Sequence, residues 1–268
     1  MTLGYTRPAD SYLASAETVW AKNLREEKLV RLRRATPTQV ERLAKDLGAD
    51  LLGVADLTRF KPYNGVDNSL LTFPFGISLG VRLSNSIISR ITVADPTPEY
   101  AHHYKAVNAL LDDIALRIVN RIQAQGYAAL PIAASHVTNR ELHQGAISHK
   151  AVAALAGLGW IGKSQLLVNP KLGPRLRLAS ILTTIPSTPG IPLENRCGEC
   201  DVCIRACPTH AIKSAGIIRE RWVREEVFDP NLCHQRLTKF RDDPRYGASV
   251  CGICVKVCPI GVRKAGER

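Results

Sequence analysis

No cysteine occurs before residue 197, and all eight fall between there and residue 258 of the 268-residue chain. No apolar run is long enough to cross a bilayer, which takes about 20 consecutive apolar residues. The N-terminal stretch also lacks the apolar segment of a secretion signal, and none follows the twin arginine of Arg31-Leu-Arg33-Arg34. These absences argue against a membrane span and against disulfides, which need an oxidising compartment. They predict a soluble, cytoplasmic protein with no membrane insertion. There is no low-complexity tract, no RNA-binding motif and no internal repeat beyond paired cysteine runs. Acidic residues are outnumbered, 24 against 36 lysines and arginines, for a formal charge of +12. Basic residues recur from Lys22 to Arg34, at Arg219, Arg221 and Arg224, and from Arg236 to Arg245. Such a surface favours an anionic partner: RNA, an acidic ferredoxin or flavodoxin donor, or a phosphate-bearing cofactor.

The cysteines form two interlocking runs. The first is Cys197-Gly-Glu-Cys200-Asp-Val-Cys203-Ile-Arg-Ala-Cys207-Pro208; the second is Cys233 followed by Cys251-Gly-Ile-Cys254-Val-Lys-Val-Cys258-Pro259. Three thiolates spaced by two residues can converge on one iron–sulfur cube. The fourth, carried past the turn and followed by proline, points to a neighbouring cube. This predicts two [4Fe-4S] clusters, one on Cys197, Cys200, Cys203 and Cys258, the other on Cys207, Cys233, Cys251 and Cys254. Zinc rarely uses a triple-cysteine run with a trailing proline. The long insertion between Cys233 and Cys251 makes this a modified bacterial ferredoxin-type module.

The periodicity upstream predicts a helical extension over residues 1–37, with a charged, surface-facing helix from Tyr12 to Arg34. A cofactor or substrate domain then spans 38–190, and the two-cluster domain spans 191–268 after a proline-rich linker at Pro186–Pro192. The middle domain reads as an amphipathic helix at 38–48, a strand at 50–55, a strand near 74–83 and a long helix at 99–125. The apolar face of that helix carries Leu110, Leu111, Ile114, Ile118 and Ile122. Further strands are expected at 127–133, near 166–168 and at 176–182, with a short helix at about 150–157. This alternation argues for an α/β or α+β fold.

Gly157-Leu158-Gly159-Trp160-Ile161-Gly162-Lys163-Ser164 satisfies both a phosphate-loop and a dinucleotide-binding pattern. Both chemistries need a strand before the glycines and a helix after them. Here the order is reversed, so a helix cap followed by a sharp turn into a strand accounts for the glycines. Trp160, Lys163 and Ser164, exposed-type residues, gather there without explanation from that turn.

The helix, AGLGWIGK, LLVNPKLGPRLRLASILTT, the proline-rich linker and CGECDVCIRACP with a distant CGICVKVCP together resemble the epoxyqueuosine reductases and their relatives, the reductive dehalogenases. The resemblance runs from about Thr38 to the end. It implies a nitroreductase-like domain that holds base-off cobalamin and receives electrons from two cubanes. It also places Ser148 and Gly157, Leu158, Gly159, Trp160, Ile161, Gly162 and Lys163 along that cofactor. Epoxyqueuosine reductases carry a proton-donating aspartate upstream of the glycine turn. The matching stretch, Glu141 to Lys150, has none, and His143 and His149 stand nearest. The helical-repeat extension that many of those enzymes use on tRNA, and the export signal of the dehalogenases, are not expected here.

A cubane pair delivers single electrons at low potential, leaving the protein to dock substrate and supply a proton. Candidates for that proton are Tyr104, His143, His149 and Lys150. A competing reading makes His102, His103, His136, His143 and His149 unrelated loop or surface residues. The expected function is a cobalamin-dependent iron–sulfur reductase acting on a small molecule or a tRNA base. The alternatives are an electron-transfer protein that reactivates the corrinoid of a partner protein, and an FMN-dependent reductase on the same domain.

Overall fold

The computed structural model describes residues 37–60, 68–213 and 224–262. The expected helix at 12–34, the 1–37 extension apart from Pro37, and Arg219 and Arg221 lie outside the described residues. Thr36–Arg268 forms one compact unit. In chain order its first part runs α1 (Pro37–Asp46), β1 (Leu51–Asp56), β2 (Phe75–Arg82), α2 (Asn85–Ile88), α3 (Pro98–Gln123), β3 (Ala129–Ile132), α4 (His149–Leu155), β4 (Trp160–Ile161), β5 (Leu167–Val168) and β6 (Leu176–Thr183). The cysteine-bearing part follows with α5 (Val202–Arg205), α6 (Arg224–Val227), α7 (Pro230–Asp242) and α8 (Ile253–Val257).

The main sheet has the order β1-β2-β6-β3, and every neighbouring pair is antiparallel. The mixed architecture expected from the alternation is therefore of the α+β kind. α3 covers one face through Leu111, Ile114, Ile118 and Ile122, which recur every three or four residues and are fully buried. Leu110 does not share that face as the periodicity predicted. One residue turns the helix by about 100°, which leaves Leu110 37 % exposed. α4 covers the other face, where Val152 and Ala156 pack with Ala55, Leu57 and Leu182.

Local chemistry sets where α3 begins. Asp95 Oδ1 accepts from the Thr97 amide at 2.7 Å, Thr97 Oγ1 accepts from the Tyr100 amide at 3.2 Å, and Pro98 occupies the first turn. These bonds hold Thr97 at φ +71°, an uncommon value for a β-branched residue. Tyr100 and Tyr104, four residues apart, are thereby set on one side of the helix.

β3 is shorter than β6. Its register ends at Ile132↔Ser180, so residues 176–179 of β6 have no strand partner on that side among the described residues. The chain leaves the sheet there, and the carbonyls of Ala133 and Ala134 accept from the side chains of His149 and Arg177.

A buried arginine joins the cysteine-bearing part to the sheet. Arg175, 4 % exposed, donates from Nη1 to Ile260 O at 2.7 Å and from Nη2 to Lys256 O and Cys258 O at 2.8 and 3.0 Å. It thus caps the carbonyls at the end of α8, where the helix dipole favours a cation. Lys256 answers by donating to Ile91 O at 2.6 Å, and Arg224 Nη2 donates to Leu142 O at 3.0 Å.

Candidate functional site

All eight cysteines are free thiols, and Cys200 is the exposed one among them. Their electrostatics fall into two groups. Burial, then the neighbouring Cys197, Cys258 and Cys200, raise Cys203 to about 11. Burial, then Cys251 and Cys207, raise Cys233 to about 11, with Lys150 and Arg236 pulling the other way. Cys254 is pushed up by burial and then chiefly by Cys233, Cys251 and Cys207. Thiols raised in this way by their neighbours cannot all ionise without a compensating cation, which a bound iron–sulfur cluster would supply. Cys207 is the exception. Burial alone would raise it, but amides of Thr209, Ile212 and Ala211 and the Thr209 hydroxyl outweigh burial and lower it. Among the described residues no three His, Cys, Asp or Glu side chains converge tightly enough to hold a single metal ion.

The glycine turn serves the cysteine-bearing part. α4 ends at Leu155, and Gly157 just past its cap residue Ala156 takes φ +74°, the left-handed value that closes a helix. The chain then enters β4, which pairs with β5. A Cβ on Gly159 would lie 2.3 Å from Val168 O, so the hairpin closes only because that atom is missing. A Cβ on Gly162 would lie 3.2 Å from Cys197 Sγ, and Lys163 Nζ donates to Gly198 O at 2.7 Å. The helix-first order expected from the sequence is observed. Trp160 and Ser164, read as exposed-type residues, are instead 3 % and 7 % exposed. They are buried because the hairpin folds back under the cysteine loop.

Buried polar atoms at this turn lack partners among the described residues: Trp160 Nε1 and both amide atoms of Gln165, whose residues are 3 % exposed. Burying such groups unpaired costs about 1–3 kcal/mol each. A polar ligand group beside the turn would satisfy them, so these residues fit a large polar cofactor better than the glycines do, whose open sides are filled by the chain itself.

Tyr104 meets the chain just beyond β3. Its hydroxyl is 2.9 Å from Ser135 Oγ and accepts from Arg177 Nη2 at 3.2 Å. Arg177 also donates from Nε to Asn108 Oδ1 at 2.9 Å and from Nη2 to Ala134 O at 3.4 Å. Burial would raise the Tyr104 phenol, but the Arg177 charge and the hydrogen bonds with Ser135 and Asn108 outweigh it and lower the pKa. One turn earlier, the Tyr100 ring lies against Gly252, between Cys251 and Cys254; a Cβ there would meet it at 2.8 Å. Tyr100, which touches the loop of the second cysteine group, thus lies one turn before Tyr104 on the same helix.

His149 reaches the end of β3 from the opposite face. Nδ1 is 2.8 Å from Ser180 Oγ and Nε2 is 3.0 Å from Ala133 O, which fixes a neutral ring that donates from Nε2. Burial first, with the Arg177 charge, lowers its pKa to about 4. Both nitrogens are thus committed. Lys150 Nζ donates to Gln165 O at 2.6 Å, and burial, then Arg224, lowers it to about 8 against the raising influence of Cys233 and Cys254. Ser148 caps α4, its hydroxyl accepting from the Ala151 amide at 3.3 Å. His143 stacks on His234 with centroids 3.9 Å apart, and its Nε2 lies 3.2 Å from Asn231 Oδ1. His103 accepts from the Ser84 amide at 3.0 Å. His103, His143 and His149 thus have different partners. Sequence reasoning missed Arg177, Asn108 and Ser135. An arginine inside an apolar strand, Leu176-Arg-Leu-Ala-Ser-Ile-Leu, was the signal that could have found the first.

Fold and site together define the class: a mixed α+β domain carrying a cysteine-rich double-cluster module. Residues 196–261 match the 4Fe-4S double cluster binding domain. The chain is similar to the epoxyqueuosine reductase of Listeria monocytogenes, 34 % identical over 123 residues that make up 43 % of this chain and 30 % of that protein. Its fold is that of a reductive dehalogenase whose structure is described as suggesting a mechanism for B12-dependent dehalogenation, with TM-score 0.63, 21 % identity and coverage of 85 % of this chain and 32 % of that one. It is also that of an epoxyqueuosine reductase solved with an epoxyqueuosine-modified tRNA-Tyr stem loop, with TM-score 0.56, 19 % identity and coverage of 84 % and 64 %. The alignment with the curated relative thus spans about a third of that protein's length.

Proposed function

We propose that this chain is a cytoplasmic iron–sulfur reductase that passes single electrons inward from two [4Fe-4S] clusters to a corrinoid and on to a small molecule or a tRNA base. The observation that carries the reading is the Tyr100 ring lying against Gly252, between Cys251 and Cys254, one turn before Tyr104, whose hydroxyl accepts from Arg177. In this reading Cys197, Cys200, Cys203 and Cys258 hold one cluster, and Cys207, Cys233, Cys251 and Cys254 hold the other. The mutual electrostatics of the thiols support that crossed arrangement. A ferredoxin or flavodoxin supplies the electrons.

Cobalamin, when bound, supplies a low-potential metal centre that donates electrons to the substrate. Trp160 and Gln165 would hold its polar periphery, with Lys150 anchoring the backbone between them and the second cluster. The protein's own residues do the proton chemistry. Tyr104 donates from its hydroxyl, and Arg177 stabilises the phenolate left behind. Asn108 fixes the guanidinium, and Ser135 orients the phenol. His149 stays neutral and holds the Ala133 carbonyl in place. No carboxylate is required, in keeping with the missing aspartate.

Anaerobically reconstituted protein should carry about eight irons per chain and shift the visible spectrum of added hydroxocobalamin. About four irons or fewer, or no corrinoid binding, would remove the proposal. Tyr104→Phe should keep both cofactors and lose turnover by about 10²–10⁴-fold, the range for a general acid.

A further inference from the structure

The positive groups around the two cysteine sets differ. At the first set, the buried Arg175 guanidinium bonds the carbonyl oxygens of Ile260, Lys256 and Cys258. At the second, Arg236 Nε donates directly to Cys251 Sγ at 3.1 Å. Arg236 is held in place from three sides. It lies three residues after Cys233, on the same face of α7. Its Nη2 donates to Val93 O, and its guanidinium stands 5.1 Å from the centre of the Phe240 ring. Lys150 adds a second positive charge felt by Cys233 and Cys254. Reduction adds one negative charge to a cluster, and the ligand sulfurs share it. A cation hydrogen-bonded to such a sulfur stabilises the reduced form more than the oxidised one and raises the potential.

We propose that Arg236 is a potential-setting residue: its N–H···S bond to Cys251 places the second cluster above the first in reduction potential. An electron arriving at the side of the exposed Cys200 then settles on the cluster beside Tyr100 and Lys150, and inward transfer is downhill. This rests on the two-cluster reading above.

The test is a redox titration of the intact holoprotein, followed by electron paramagnetic resonance, in wild type, Arg236→Gln and Arg236→Lys, with iron counted in each. Arg236→Gln should lower the midpoint of one cluster alone. Its reduced-to-oxidised ratio at a fixed potential should fall about tenfold, equivalent to about 59 mV for a one-electron couple. Arg236→Lys, which keeps the charge but not the planar donor, should fall between. If Arg236→Gln fails to retain iron, the Arg236→Lys midpoint decides: a drop supports the inference, and an unchanged value overturns it. Equal shifts in both clusters would mark a general structural effect and overturn it too. A wild-type count of about four irons or fewer would instead remove the two-cluster reading, and this inference with it.

Discussion

Replacing Arg175 by methionine keeps most of the buried volume and removes the guanidinium that joins β6 to the end of α8. Three hydrogen bonds from a charged donor are lost, each worth about 1.5–3 kcal/mol. Against this, an arginine 4 % exposed no longer has to be desolvated, a burden of several kcal/mol for a buried ion. Burial already lowers its pKa, with the Cys258 thiol partly opposing. The net loss should be roughly 3 kcal/mol, equivalent to a fall in Tm of about 6–12 °C for a domain of this size. Because the carbonyls it caps flank Cys258, iron should also pass to a chelator faster than from wild type. Anaerobic urea unfolding followed by circular dichroism, with iron release timed in parallel, measures both. Arg175→Lys should recover part of the stability, since one ammonium cannot span three carbonyls as the fork does. A methionine variant within about 1 kcal/mol of wild type, with unchanged iron release, would refute the reasoning.

Other consequences are as specific. Gly159→Ala places a methyl 2.3 Å from Val168 O, and overpacking of this kind costs about 1–3 kcal/mol; thermal unfolding that matches wild type would contradict the hairpin geometry. His149 has its folded pKa depressed from 6.5 to about 4, so the unfolded chain binds more protons between those values. Its contribution is therefore present above about pH 6.5 and lost as pH falls towards 4, amounting to roughly 3 kcal/mol. Urea midpoints at pH 7 and pH 5 should diverge more in wild type than in His149→Gln, and parallel behaviour would rule this out. Arg177→Met should return the Tyr104 phenol to a higher pKa, read by ultraviolet difference titration, and slow any reduction that needs its proton. An unchanged phenol titration would sever the link between the two residues.

The cysteine spacing made the double-cluster module legible, because thiolate ligation depends on local chain geometry and leaves a pattern in the sequence itself. The 3-4-4 spacing of Leu111, Ile114, Ile118 and Ile122 did the same for α3. Leu110 misled because an apolar residue adjacent to a buried stripe is indistinguishable from it by composition. Trp160 and Ser164 misled because their burial comes from a hairpin closing under a loop about 35 residues later in the chain. His149 and Lys150 were recognised as titratable, but their neutral or weakened charge follows from burial by distant elements.

Residue order by itself determined the double-cluster module, the helix-before-glycine order that argues against a phosphate loop, and the elements of a mixed domain, since each depends on neighbours within a few positions. Only the tertiary structure decided that β3 stops short of β6. That early stop leaves the consecutive carbonyls of Ala133 and Ala134 to His149 from one face and Arg177 from the other. Strand length and register are outcomes of packing across the sheet, where residues separated by 40 to 75 positions meet, and no local pattern encodes them.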